Sequence, residues 1–392
     1  MKKRIWLSVV AASLLSTNSF AFDVGYKNGF FIVSDDESFA LNITGRIQPR
    51  LEYTDSKSED SALSFSIRRA LIHFEAVANK KTHASFALYH STRSVNFNKL
   101  NIAGVVLERE IIPQFSVAVG MIGLPLDMMS ATSSAWYLLP EAPITFTQTD
   151  SATPFTSTRS SFGAPDGVGL NFNGNVSKFF YSWSVVNGAE SNYQVNPDMK
   201  FSTGARVGFN ILSPVGGSMT DFVCSTKPKW TVSAGANYQG QRIDQAYADA
   251  QGAGAVAPDI KRILTASAGT GFRYAGFSAQ VETYYRITSF NNFGTLPAEL
   301  TTDSSLNDIG GYVALGYYIV PRKFEIALQG AEMIRQGPVN NAYAFGGGVN
   351  YYISDNNLKA QLSYNLTLDY NDVTGSQTNK RHLGVLQLQG AF

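Results

Sequence analysis

The residues best suited to act on a solute are polar side chains that recur at every second position along the 392-residue chain. Successive side chains of a β-strand point to opposite faces, so this spacing places them on one side of a strand. Arg46 and Arg50, for example, would lie on one face roughly 13 Å apart, at about 3.3 Å per residue. The residues predicted to line a water-filled pore in this way are Arg46, Gln48, Arg50, Arg69, His73, Glu75 and Arg206.

The arginines of this set form a predicted basic strip. A cleft lined by charge of one sign focuses the electric field and would raise the local concentration of anions. The same arginines could instead brace the wall through ion pairs with Glu52, Glu75 or loop carboxylates, and the sequence leaves both interpretations open.

A long connection at about 122–165 supplies the second group of candidate residues. It far exceeds ordinary loop lengths, and its five prolines restrict its backbone. We expect it to fold into the lumen as a constriction loop, and the alternative is an exposed surface loop. Its charged candidates are Asp127, Glu141, Asp150 and Arg159.

The elements that must position these residues are β-strands. Segments of roughly ten residues alternate between apolar and polar side chains from end to end, which is typical of strands that cross a bilayer at a tilt. The connections alternate between short turns, such as 321–322, and longer polar stretches, such as 241–260; a long turn at 213–227 is the exception. The predicted strands are 41–53, 64–77, 82–91, 100–109, 115–122, 166–174, 178–187, 202–212, 228–240, 261–274, 276–289, 308–319, 323–334, 342–353, 357–370 and 381–392.

This pattern predicts an all-β fold, a transmembrane antiparallel β-barrel of about sixteen strands, with the long third external loop folded into the lumen. An even number of strands fits bacterial barrels, and sixteen leave room for an aqueous channel. The alternation of connections places both termini in the periplasm. Aromatic residues, 12% of the chain, lie toward many strand ends, where membrane–water interfaces favour them.

The first residues predict export. Three basic residues precede a short apolar run and a small-residue cleavage site, so residues 1–21 are predicted to be a signal peptide. Residues 22–40 would form an N-terminal periplasmic segment, and residues 41–392 the barrel. Loss of the three basic residues changes the net charge from +1 to −2 (+1 − 3), so nucleic acid is not a predicted partner.

Enzymatic chemistry finds little support in the sequence. The chain has four histidines and one cysteine, Cys224, with no phosphate-binding glycine loop or metal-binding motif. We therefore predict no enzyme activity, no catalytic or metal-binding residues and no cofactor. A barrel without a channel, acting as an adhesin or an outer-membrane enzyme, is the alternative from another functional class.

Several short motifs resemble one known family. They are Gly45-Arg46-Ile47, the stretch from Phe65 through Arg68-Arg69-Ala70 to Phe74-Glu75, Val119-Gly120 followed by Pro125, Val186-Asn187-Gly188, and Ala205-Arg206-Val207. In these stretches the chain resembles the phosphate-selective porins O and P, outer-membrane proteins. The resemblance implies a homotrimer of sixteen-stranded barrels in outer-membrane lipid, with lumenal arginines that guide small anions.

Departures from the family pattern bear on the solute. Leu71, Ala76 and Leu124 stand where members often carry a basic residue, a glycine and a lysine. The predicted constriction loop is also net acidic. The sequence therefore predicts a porin for small hydrophilic solutes and ions, with anion or phosphate preference as one reading. A general non-selective or weakly cation-selective diffusion pore is the alternative.

Overall fold

The structure, a computed structural model, describes most of the chain after residue 21. The described residues are 22–27, 29–56, 59–92, 100–145, 161–188, 199–240, 242–243, 256, 258–294, 305–336, 341–368 and 380–392. The predicted signal peptide, residues 1–21, therefore lies outside the described residues, as do Asp150 and Arg159 of the predicted constriction loop.

Nineteen β-strands form a single antiparallel sheet. Most of their sequences alternate apolar and polar residues, and this pattern suits a sheet with lipid on one side and water on the other. The strands are β1 (Phe22–Tyr26), β2 (Phe30–Ser34), β3 (Phe39–Ser56), β4 (Glu59–Ala78), β5 (Thr82–His90), β6 (Asn101–Ile112), β7 (Phe115–Gly123), β8 (Asp166–Val176), β9 (Phe179–Asn187), β10 (Phe201–Asn210), β11 (Lys229–Gln239), β12 (Arg242–Ile243), β13 (Asp259–Tyr274), β14 (Phe277–Asn292), β15 (Ser305–Val320), β16 (Phe324–Arg335), β17 (Ala342–Ser354), β18 (Leu358–Leu368) and β19 (Lys380–Ala391).

Sixteen of these strands close into a barrel, once β1, β2 and the two-residue β12 are set apart from the nineteen. Each strand pairs with the next along the chain, and β19 pairs with β3 to complete the ring, with Gln387 opposite Arg50. Closure gives each of these sixteen strands a neighbour on both sides, which a bilayer requires because lipid offers no hydrogen bonds. The predicted fold class and the sixteen predicted strands are confirmed.

The two faces of the wall differ as the alternation predicts. On β4 the outward Phe65 is 85% exposed, whereas on β3 the inward Gln48 is fully buried. Apolar side chains therefore cover the outer face, and polar ones line the interior. Within the described residues, no helix is long and apolar enough to cross a membrane, and one turn of 3-10 helix occurs at Ser134–Trp136.

The described part of the N-terminal segment 22–40 begins with a β-hairpin. Strands β1 and β2 pair with each other, and Phe30 of β2 pairs with Ile43 of β3. Strand β2 therefore pairs with the first part of β3, and β19 pairs with the remainder of the same strand. The backbone of Phe392 exchanges two hydrogen bonds of 2.9 Å with Gly45, and the Phe392 ring occupies the space that a side chain at Gly45 would need.

Strand β4 contains a β-bulge at Arg68. Gln48 of β3 pairs with Arg69, whereas the next residue, Pro49, pairs with Ile67. Two residues of β4 therefore oppose one of β3, which shifts the alternation of the side chains. As a result Arg68 and Arg69 both point into the barrel, where each donates hydrogen bonds to an inward side chain.

Candidate functional site

Residues 124–145, which follow β7, pack against inward-facing side chains on several sides of the barrel. The backbone N–H groups of Met128 and Met129 donate to Glu282 of β14, at 2.5 and 3.1 Å. Lys359 of β18 donates to the carbonyl of Ala135 at 2.7 Å. Contacts to separate parts of the wall place this segment, here termed the inner loop, within the barrel's cross-section.

Apolar packing also holds the inner loop against the wall. Leu126, Leu138 and Leu139 are almost fully buried and share a cluster with Tyr284 and Tyr312 of the wall. Two wall glycines allow this close approach. A side chain at Gly235 would overlap the carbonyl of Leu126, and one at Gly316 would come within 2.5 Å of Leu138.

Asp127 anchors the first part of the inner loop. Its carboxylate accepts hydrogen bonds from the backbone of Ser130, at 2.7 Å, and from the hydroxyl of Tyr284, at 2.9 Å. Burial raises the pKa of the Asp127 carboxyl. Arg206 of β10 donates to the backbone carbonyl of Asp127 and lies over the ring of Phe180, 5.3 Å from the ring centre.

Glu141 joins the inner loop to the arginines of β3 and β4. Its carboxylate accepts from Arg68 at 2.8 and 3.2 Å and forms an ion pair with Arg50, which is also paired with Glu52. Burial alone would raise the pKa of Glu141, but Arg68 and Arg50 outweigh it and hold the pKa well below its ordinary value. These two arginines and two glutamates sum to zero charge.

Arg46 and Arg69 differ from Arg50 and Arg68 in their hydrogen-bond partners, which are neutral. Arg46 donates to the hydroxyl of Ser134 at 3.0 Å, and Arg69 donates to the side-chain carbonyl of Gln48 at 3.1 Å. Among the described residues neither guanidinium is within ion-pair distance of a carboxylate. The part of the wall beside the inner loop therefore carries two charges that are not neutralised by direct pairing.

The predicted pore residues do not form one group. Arg46, Gln48, Arg50 and Arg69 meet near the inner loop, as described above, and Glu141 joins them. His73 and Glu75 lie 3.5 Å apart, lower on β4, toward the end of the barrel with the short turns. Arg206 lies on another part of the wall, beside Asp127.

Sequence reasoning missed Arg68 as a pore residue, and it missed Tyr89, whose hydroxyl donates to the carbonyl of Arg68 at 3.4 Å. The signal for Arg68 is present in the sequence, because the apolar positions of β4 change from odd to even numbers there. Buried pairs such as Arg286 and Asp308, 2.8 Å apart, carry no comparable signal.

The inner loop covers one side of the interior. Inward side chains of β14 and β15, such as Tyr284, Asp308 and Tyr312, are at most 2% exposed. On β5 to β9, by contrast, inward side chains such as Ser85 and Asn171 are partly exposed. The accessible interior among the described residues therefore runs along β4 to β9, away from the centre of the barrel.

The long turn 213–227, between β10 and β11, folds into the barrel from the end that carries the short turns. Its Phe222 contacts Trp136 of the inner loop and Tyr352 of the wall, with ring centres 5.9 and 5.2 Å apart. The backbone N–H of Met219 donates to the carbonyl of Trp136 at 3.2 Å. The turn is long where the alternation of connections predicts a short one, and its contacts with the inner loop account for the extra length.

Comparison with known proteins decides the family. The profile of phosphate-selective porin O and P matches residues 41–392, the whole barrel. The chain belongs to this family. Porins of this family are channels, so the chain is an outer-membrane porin.

A comparison with curated protein sequences found no significant match. Among the described residues, no group of three His, Cys, Asp or Glu could hold a metal ion.

Several solved structures share the fold. An anion-selective porin from Comamonas acidovorans has 9% identity and a TM-score of 0.58, over 90% of this chain and 100% of that one. OmpF of Salmonella typhi, solved with daunomycin, has 13% identity and a TM-score of 0.59, over 94% and 100%. OmpT of Vibrio cholerae in its trimer form has 10% identity and a TM-score of 0.54, over 91% and 100%. At these identities the similarity describes the fold of this porin.

Proposed function

We propose that this porin is an anion-preferring diffusion channel whose narrowest part lies between the inner loop and β3–β4. The observation that carries the proposal is the unequal pairing of the inward arginines. Arg50 and Arg68 are neutralised by Glu52 and Glu141, whereas Arg46 and Arg69 bond only to neutral groups. Two uncompensated positive charges beside the accessible route would raise the concentration of anions there.

We further infer the setting of the channel. Both termini would face the periplasm, because the hairpin of β1 and β2 and the C-terminal Phe392 lie at the end of the barrel with the short turns, and bacterial barrels carry short turns on that side. The shared fold of the anion-selective Comamonas porin and the trimeric Vibrio protein supports a homotrimer that passes small anions. We assign no catalytic role to the chain.

A weakly cation-selective pore is the second candidate. The observation in its favour is a group of carboxylates on the inner face of the wall near the short turns. Glu75, Glu108 and Glu110 line one groove there, together with His83. If this region, instead of the arginines, limited the current, cations would carry most of it.

Reversal potential in a planar bilayer under a KCl gradient tests the proposal. We expect the sign that anion preference gives, and we expect Arg69→Gln to reduce the anion-to-cation permeability ratio by about two- to fivefold, because one of two uncompensated charges is lost. Arg109→Gln is the matched control, since Arg109 faces outward from β6 and bonds to Thr82.

Either of two results would overturn the proposal. One is cation preference of the unaltered porin, which would favour the carboxylate groove as the selective region. The other is equal permeability ratios for Arg69→Gln and Arg109→Gln, which would show that the arginines near the inner loop do not set selectivity. A complete absence of channels would contradict the porin assignment itself.

A further inference from the structure

A cavity of about 330 Å³ lies near the short-turn end of the barrel, on the accessible side of the interior. Its walls come from three parts of the molecule. Strands β8 to β10 contribute Asn175, Ser182, Arg206 and Asn210. The inner loop contributes Met128 and Ala131, and the turn 213–227 contributes its glycines at 216 and 217. The turn therefore both supports the inner loop and closes one side of this cavity.

Arg206 is the one charged side chain in the lining of this cavity. One guanidinium nitrogen donates to the carbonyl of Asp127, and Phe180 covers one side of the guanidinium. The other N–H groups of Arg206 have no acceptor among the described residues. The carboxylates of Asp127 and Glu282 attract the guanidinium from outside the lining, but neither lies within ion-pair distance of it among the described residues. The lining itself contains no carboxylate, so it presents a positive charge and free donors to the cavity.

A second donor lies in the same lining. The side-chain carbonyl of Asn210 accepts from the hydroxyl of Thr231 at 2.7 Å. This bond fixes the amide so that its oxygen is occupied. The Asn210 NH₂ group has no acceptor among the described residues, and it is available to a bound molecule. An arginine and a fixed amide donor together suit an oxyanion, because charge-assisted hydrogen bonds to oxyanions are the stronger ones.

The size of the cavity separates the possible anions. Sites for small organic ligands measure about 300–1,000 Å³, so this cavity is at the lower end of that range and is larger than a bare inorganic ion needs. We infer that it binds a small organic oxyanion, a carboxylate or a phosphate ester, whose uncharged part contacts the loop and turn. This inference rests on the proposed function, which delivers anions to the site.

Calorimetric titration of the purified full-length porin in detergent tests this inference, with potassium gluconate as the probe and inorganic phosphate as the comparison. We expect gluconate to bind more tightly than phosphate. Arg206→Gln should weaken gluconate binding by about tenfold or more, the loss expected for a charge-assisted contact. Because this substitution also removes the bond to Asp127, a second variant is needed.

Asn210→Asp is that second variant, since it keeps the acceptor for Thr231 and places a negative charge in the lining. We expect it to weaken gluconate binding by about tenfold or more. Asn42→Asp is the matched control: it adds the same charge to the inner face of β3, outside this cavity, and should change the affinity by less than about threefold.

The outcomes separate this inference from the proposed function. Unchanged gluconate affinity in both Arg206→Gln and Asn210→Asp would overturn the organic-anion site, whatever the reversal potential. Binding of phosphate that equals or exceeds that of gluconate would show an inorganic-ion site and would overturn the size argument. A third outcome is that gluconate binds, that Arg206→Gln and Asn210→Asp weaken its binding as expected, and that the channel shows no anion preference. This outcome would support the site and contradict the proposed selectivity.

Discussion

Arg50 and Arg69 occupy inward positions on neighbouring strands, yet their surroundings give them different electrical roles. Arg50 is buried between Glu52 and Glu141, so its charge is cancelled where it stands. Arg69 bonds to a neutral amide. An arginine in a porin wall can therefore hold a loop in place or act on solutes, and its ion-pair partners decide which.

Glu141→Gln tests the first of these roles. The substitution leaves Arg50 and Arg68 without their shared carboxylate, and removal of one partner from a buried ion pair costs about 3–5 kcal/mol. We expect a lower temperature of barrel unfolding, measured by the heat-dependent shift in gel mobility, and stronger anion preference. Glu37→Gln is the control, because the Glu37–Lys80 pair is exposed and contributes about 0–1 kcal/mol. Equal unfolding temperatures in the two variants would contradict the anchoring role.

The lowered pKa of Glu141 also predicts a dependence on pH. A carboxylate whose pKa is lower in the folded state stabilises the fold fully above its ordinary value of 4.5, and this contribution is lost as the pH falls through the lowered pKa. We expect Glu141 to contribute no change in single-channel conductance from about pH 7 to about pH 5, so that the unaltered porin and Glu141→Gln show the same pH dependence over that range. A change above about pH 5 that is present in the unaltered porin and absent in Glu141→Gln would be inconsistent with this ion pair.

At the scale of elements, β4 shows how one extra residue changes the wall. Its outward-facing apolar side chains lie at odd positions from Leu63 to Ile67 and at even positions from Ala70 to Ala76, and the bulge at Arg68 lets both sets face outward. A regular strand would turn one set into the lumen. The same extra residue supplies the second arginine that binds Glu141.

The turn 213–227 acts at the same scale. Phe222 is 8% exposed and packs between the inner loop and the wall, whereas its neighbour Val223 is 63% exposed. We expect Phe222→Ala to cost about 3–5 kcal/mol, the range for a truncated core phenylalanine. Single-channel recordings should show more frequent current fluctuations as the inner loop loses support. Val223→Ala should resemble the unaltered porin, and equal noise in the two variants would mean that the turn does not hold the loop.

At the scale of the whole molecule, the barrel depends on a seam between the two ends of the chain. Strand β19 pairs with β3, which lies more than 300 residues earlier in the chain, and pairing of residues distant in sequence is slow. Phe392 covers Gly45 at this seam and contacts Phe30 of the hairpin, with ring centres 6.1 Å apart. The N-terminal hairpin and the C-terminal residue therefore complete the seam together.

Gly45→Val tests the seam, since the new side chain would displace the Phe392 ring. We expect a clear drop in the fraction of protein that refolds, scored by gel mobility without heating. Gly390→Val is the control, because a side chain there meets only Ile47, at 3.7 Å. Similar yields from both variants would show that the Phe392 contact is dispensable for closure.

The sequence by itself determined the number of barrel strands, their approximate limits and the alternation of faces along each strand, with the bulge at Arg68 as the exception. These properties follow from local alternation and from the length that crosses a bilayer, so they need no knowledge of distant contacts. It also predicted that the connection after β7 would enter the lumen, and the described residues 124–145 do contact the inner wall.

Only the tertiary structure decided which arginines have a carboxylate partner, which part of the wall stays accessible and where the turn 213–227 lies. Each of these depends on residues far apart in the chain, as when Glu141 meets Arg50 and Arg68, or Phe222 meets Trp136. Alternation assigns a side chain to a face, but it does not identify what stands opposite. That partner sets the local charge of the wall, because a carboxylate beside an arginine neutralises it in place, whereas Arg46 and Arg69, which we propose to attract anions, lie beside neutral groups.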